Sequence, residues 1–180
     1  MKYGNKLGGI VRRFLSGESV VKMEERLINC DADPLVPKGW EVEEHKKDGQ
    51  FAFDPTKVKF YLSPNQQNGK SIEGNKLRKE LAGKKVLNAN VLDYLLAHPE
   101  LIPENWKKDE NGKTRCIFFW GTIYRDPYGL LHVRYLDWDG VRWVRHSSWL
   151  DLDWSGDSPA AVKEVANLRP VQKCAGLFNF

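Results

Sequence analysis

Three pairs of aspartates stand two residues apart in the chain: Asp31/Asp33, Asp137/Asp139 and Asp151/Asp153. On an extended segment the side chains at i and i+2 point to the same side. Such a pair could hold Mg²⁺ or Mn²⁺ and assist phosphoryl chemistry. Each pair also has a plainer reading. Asp31/Asp33 precedes Pro34 and suits a turn. Asp137 and Asp139 suit an ion pair and a turn residue. Asp151 and Asp153 follow a strand-like run and suit turn capping, and they are the nearest approach to a metal pair. The four histidines, His45, His98, His132 and His146, are scattered, and no Ser/His/Asp or Cys/His arrangement has a recognisable local context. Gly-rich phosphate loops are absent. These residue types assign no catalytic residue, metal or cofactor.

The residues with a shared spacing that points to binding are aromatic and cationic. Leu130–Trp138, Asp139-Gly140 and Val141–Trp149 read as two strands joined by a two-residue turn. That turn pairs Trp138 with Val141, Asp137 with Arg142, Leu136 with Trp143, Tyr135 with Val144, Arg134 with Arg145 and Val133 with His146. One face then carries Val133, Tyr135, Asp137, Arg142, Val144 and His146. The other carries His132, Arg134, Leu136, Trp138, Val141, Trp143 and Arg145. Two opposed arginines repel, so a carboxylate, solvent or a bound anion must offset them. Rings and guanidinium groups together could form a stacking-and-charge platform for nucleic acid. The alternative is that Trp138 and Trp143 are core under a helix, with the arginines at its rim.

A second cationic feature is the segment from Lys70 to Lys85, where Lys70, Lys76, Arg78, Lys79, Lys84 and Lys85 face only Glu73 and Glu80. Lys76 and Lys79 would contact phosphate if this strip binds nucleic acid. Otherwise it is a solvated helix face.

These residues need elements to position them. The chain has 180 residues, with 41% hydrophobic and 29% charged, as a folded globular protein requires. Six of the seven tryptophans fall between Trp106 and Trp154, which divides the chain into unlike parts. Residues 1–19 form a basic, Gly-containing segment, with a short helix over Ile10–Leu15 as its one candidate element. Residues 20–180 form a single domain, mixed over 20–106 and β-rich over 107–180. Val20–Ile28 fits helix or strand. Trp40–His45 and Gln50–Phe53 read as a hairpin across Lys47-Asp48-Gly49. Asp54-Pro55 opens a helix through about Leu62. Ser71–Ala82 reads as a helix. Another follows, capped by Asn88 or Asn90, with Val91, Leu92, Leu95 and Leu96 as its apolar stripe. Ile117–Tyr124 is the first strand of the aromatic meander, joined to the second by Asp126-Pro127-Tyr128-Gly129. A last helix is expected over about Ala160–Ala166. The fold class is α+β: an antiparallel β-meander of at least three strands with short helices packed on one face.

Three cysteines far apart in sequence suit a reducing cytosol, and no apolar run is long enough to span a membrane. A cytoplasmic protein is expected. The net charge of +4 is compatible with nucleic-acid binding and with simple solubility.

The run Lys70–Lys107 (KSIEGNKLRKELAGKKVLNANVLDYLLAHPELIPENWK), with FFWGTIYR and WLDLDW, resembles a group of small uncharacterised bacterial proteins. The resemblance extends from about Cys30 to Ala161 and implies that this span is one unit. It implies no activity, cofactor or site residue. Three functions follow from the residues. The first is a non-catalytic module that engages a protein partner through exposed aromatics. The second is a nucleic-acid-binding module using Arg134, Arg145, Trp143 and the Lys70–Lys85 strip, which must then share a surface. The third is a metal-dependent hydrolase or nuclease built on the aspartates and a histidine.

Overall fold

The computed structural model describes residues 27–164. The basic segment 1–19 with its candidate helix, most of Val20–Ile28, and Cys174 lie outside the described residues.

The frame of the fold is the aromatic meander: β6 (Ile117–Arg125), β7 (Leu131–Trp138) and β8 (Trp143–Trp149), antiparallel throughout. Its first turn forms as its residues dictate. Asp126 carbonyl accepts from Gly129 N–H at 3.0 Å, and Gly129 takes φ 84°, which a side chain would oppose. Five shorter strands precede it: β1 (Leu27–Asn29), β2 (Glu41–His45), β3 (Gln50–Ala52), β4 (Val58–Tyr61) and β5 (Ile72–Glu73). Two follow: β9 (Asp153–Trp154) and β10 (Ala160–Lys163). The main sheet runs β4-β10-β6-β7-β8, with β2 also paired to β6; β1-β3 and β5-β9 form separate ladders. Two helices, α1 (Gly74–Leu81) and α2 (Ala89–Ala97), pack with the sheets. The protein is therefore α+β, with a mostly antiparallel sheet.

β6 is buried along nearly its whole length because alternate side chains feed two cores. Ile117 and Phe119 join Leu136, Trp143 and the α2 residues Val91, Leu92 and Leu95. Phe118, Trp120 and Ile123 join Val133, Leu150, Trp154 and the α1 residues Leu77 and Leu81. α2 begins where β6 comes closest: a Cβ on Gly121 would stand 2.8 Å from the backbone of Asn88. Thr122 Oγ1 accepts from Ala89 N–H at 3.0 Å and caps the helix from the neighbouring strand. Asn88, one of the two expected capping residues with Asn90, does hold the cap position, but its side chain points elsewhere. Its Nδ2 donates to Cys30 O at 2.9 Å and Lys46 O at 3.0 Å, tying the chain before α2 to the loops around β2.

Several expected elements differ. β2 pairs with β6, and β3 pairs with β1, so Trp40–His45 and Gln50–Phe53 are not one hairpin. Asp54 does act as the cap, its carboxylate accepting from Thr56 N–H, but the helix is a single turn (Pro55–Lys57) before Val58–Tyr61 becomes strand. The stretch from Ala160 is strand, not helix. It lies between β4 and β6, and ladder pairing overrides the helix preference of Ala-Ala-Val-Lys. The β7–β8 register is shifted by two residues. Asp139 carboxylate accepts from Val141 N–H and Arg142 N–H, both at 2.8 Å, and this expands the turn to four residues. Trp138 therefore faces Trp143, Leu136 faces Arg145, Tyr135 faces His146 and Arg134 faces Ser147. A shift of two preserves the faces, because side chains alternate with period two.

Candidate functional site

Arg134 and Arg145 are not directly opposed. They stand diagonally on the face that α2 covers, and Asp93 of α2 lies between them. Arg134 Nη1 is 3.5 Å from Asp93 Oδ2, and Arg145 Nη1 pairs with Asp93 Oδ1. Arg134 is 4% exposed, with its guanidinium 4.3 Å from the Tyr124 ring centroid. Burial lowers the Arg134 pKa, opposed by Tyr124 and Asp93. Burial pushes the Tyr124 hydroxyl up to about 12. Arg145 is exposed at the rim. Trp143 is buried in the core, and Trp138 is half-buried with the Lys107 ammonium 3.5 Å over its ring. This carboxylate is the one the arginine pair calls for. The sequence signal was a lone aspartate inside an otherwise apolar helix face, Val91-Leu92-Asp93-Tyr94-Leu95.

The expected Asp137–Arg142 ion pair does not form. Arg142 Nε lies 3.8 Å from Asp139 Oδ2, and Asp137 Oδ1 lies 3.6 Å from His146 Nε2. The two-residue shift of register separates the first pair and brings the second together.

The other end of the same face is aromatic. Val42, Tyr124, His132 and Trp149 form one row across β2, β6, β7 and β8. His132 is 3% exposed, and its Nε2 donates to Asp126 Oδ2 at 3.0 Å. Asp126 Oδ1 accepts from Tyr128 and Leu130 N–H, each at 2.9 Å, so the β6–β7 turn itself orients the carboxylate. Trp40 stacks over His132 at 4.3 Å between ring centroids, and Trp149 meets His132 edge-on at 6.1 Å. Trp149 is 48% exposed, and Leu35, Val36 and Val42 are exposed as well. Tyr124 hydroxyl donates to Leu35 O at 3.2 Å, which brings Leu35 to this end. Of the cations at this end, Arg125 is held by Glu43 at 2.7 Å, and Arg134 lies against the Tyr124 ring and pairs with Asp93. Sequence reasoning singled out His132 but not Trp40 or Trp149. Trp40 lies far away in sequence, and only the β2–β6 pairing places it here.

On the opposite side of the sheet, α1 and β2 enclose a cleft of about 530 Å³ lined by Lys46, Asn75, Arg78, Lys79, Leu81 and Trp120, among others. Lys46 Nζ donates to the terminal α1 carbonyls of Leu81 and Ala82, at 3.4 and 3.3 Å. Burial lowers its pKa, with Glu44 opposing. Arg78 pairs with Glu44 at 2.5 Å. A second groove shares Lys46 and Ala82 with the first and adds Lys47, Lys84 and Lys85. Lys79 borders the cleft, whereas Lys76 is exposed elsewhere on α1. The strip is thus on the α1 side, and Arg134, Arg145 and Trp143 are on the α2 side.

Asp151 and Asp153 are both exposed. Asn75 Nδ2 donates to Asp151 Oδ1 and Glu73 Oε1, each at 2.9 Å, so these carboxylates share an amide. Among the described residues no group of three or more His, Cys, Asp or Glu is placed to hold a metal ion. No helix among the described residues is long and apolar enough to cross a membrane.

No family model, no curated protein and no solved structure matches the chain.

Proposed function

We propose that the protein is a non-catalytic binding module that engages a protein partner through the aromatic end of its sheet. The observation that carries this reading is the setting of Trp149. It is half exposed on β8, the outer strand of the main sheet, and backed by a buried His132 that Asp126 holds in place. A large ring fixed by its surroundings loses little freedom on binding, which is the property of an interface hot spot. Trp40, Leu35, Val36 and Val42 extend the apolar surface around it.

The occupant this surface suits is an extended segment laid along β8. β8 has β7 on one side and no strand on the other among the described residues. A shallow groove beside it is lined by Leu35, Leu96, Pro99, Trp143, Arg142 and Arg145. Apolar and acidic side chains in alternation complement that lining. The test is selection of peptides from a random display library on the full chain. Peptides of this pattern should bind, should protect β8 amides from hydrogen exchange, and should lose binding to Trp149→Ala but not to Tyr128→Ala. Tyr128 is as exposed as any aromatic here, at a turn tip. Peptides that bind Trp149→Ala equally well would refute the assignment.

A further inference from the structure

The cleft between α1 and β2 carries an observation that the protein-binding reading does not use. Trp120 lines it, is 3% exposed, and its indole N–H has no hydrogen-bond acceptor. A buried donor without an acceptor costs about 1–3 kcal/mol, so such groups are rare unless something else completes them. The same cleft holds three cations, Lys46, Arg78 and Lys79, against one carboxylate, Glu44. Arg78 is engaged by Glu44, and Lys46 by the α1 carbonyls. Lys79 is exposed with no ion pair among the described residues.

The charge here is not a sample of the average surface. The described residues carry 20 Lys and Arg against 21 Asp and Glu. Yet the cleft and the adjoining groove gather Lys46, Lys47, Arg78, Lys79, Lys84 and Lys85 around Glu44 and Asp48 alone. A concave surface of one sign concentrates ligands of the other. The volume, about 530 Å³, exceeds what a bare inorganic anion needs and falls in the range of small-molecule sites. Leu81, Ala82 and the Trp120 ring offer an apolar wall for the remainder.

We infer that this cleft binds a small organic phosphate, with Lys79 and Arg78 facing the phosphate oxygens and the Trp120 N–H donating to an acceptor on the ligand. Phosphate fits better than a single carboxylate because it brings two negative charges and several acceptor oxygens to a site with more than one cation. The same chemistry could come from the backbone of a nucleic acid, and the experiment separates the two.

The full ¹⁵N-labelled chain is titrated with phenyl phosphate, with inorganic phosphate and with a single-stranded oligonucleotide, and the indole N–H resonances are followed. Trp120→Phe assigns the Trp120 signal. Phenyl phosphate should move that signal saturably and more tightly than inorganic phosphate. Lys79→Gln, an exposed change that leaves folding intact, should weaken binding about tenfold, as loss of a charged hydrogen bond does. Trp120→Phe should weaken it less, since the ring wall remains. Three results would overturn the inference. One is no saturable shift of the Trp120 signal with phenyl phosphate. Another is equal binding by Lys79→Gln. The third is an oligonucleotide response at Lys47, Lys84 and Lys85 with the Trp120 signal unmoved, which makes the grooves a track for a polymer backbone.

Discussion

Asp93 and Arg134 meet across the interface of α2 and β7, 3.5 Å apart and both largely out of water. Arg145 completes the bridge from the exposed side. A carboxylate between two guanidinium groups turns a like-charge clash into a clamp between helix and sheet. The energetic consequence is asymmetric. Removing both buried partners costs little, while removing one strands a charge.

The clamp gives the first expectation. Asp93→Ala should lower unfolding stability by about 3 kcal/mol, because Arg134 is left buried without its carboxylate. The double replacement Asp93→Leu with Arg134→Met should recover most of that loss. Urea unfolding checks both, read from the midpoint at unchanged slope.

Gly121 tests the contact between β6 and the start of α2. A Cβ there would lie 2.8 Å from Asn88 N, Cα and Cβ, and neither backbone is free to move. Gly121→Ala should cost about 2 kcal/mol as an overpacked site. Gly83→Ala is the control. It meets nothing within 4 Å and should be neutral or mildly stabilising. Thermal unfolding of the two variants side by side decides it.

Asp126 predicts a pH dependence. Burial works to raise its pKa, but hydrogen bonds from His132, Leu130 N–H and Tyr128 N–H outweigh this and hold the carboxyl below its usual range. A depressed carboxylate contributes stability above its unfolded pKa and loses it as pH falls through the folded value. Asp126→Asn should therefore lower stability at neutral pH and flatten the loss seen on acidification below about pH 4. Denaturation midpoints across the acid range measure this.

Cys30 and Cys116 should be poor nucleophiles. Burial comes first among the causes that push both thiols up to about 11. Few molecules of either carry a thiolate at neutral pH. In a Cys174→Ser background, a thiol-specific chromogenic reagent should react slowly at pH 7 and much faster after unfolding. Rapid labelling of the native chain would contradict the burial of these sites.

The meander was legible in the sequence because its signals are local. Aromatic and β-branched runs bounded by Asp-Pro-Tyr-Gly and Asp-Gly leave few alternatives. What the local signal misread was turn length. Asp139-Gly140 fits a two-residue hairpin turn, yet the Asp139 side chain binds two following amides and opens the turn to four residues. β4 and β10 were not legible, for a different reason. Val58–Tyr61 follows a true cap, and Ala160–Lys163 is rich in helix formers. Each is strand because it pairs with a segment distant in the chain. The same holds for the site. His132 could be singled out from its strand, but Trp40 and Lys46 join their neighbours only through the β2 pairing. Asp93 was present as a signal, a charged residue in an apolar helix, and went unmatched to the arginines that needed it.

The place of β10 sets a timetable. It occupies the slot between β4 and β6, hydrogen-bonded to one and running parallel to the other. β10 follows the whole meander in the chain, so during synthesis the native partner for the inner edge of β4 is available only after the meander has been made. Such long-range closure is slow and leaves a strand edge open to wrong partners in the meantime. Lys57 just before β4 and Lys59 within it put positive charge beside that edge, which disfavours wrong pairing until β10 is in place.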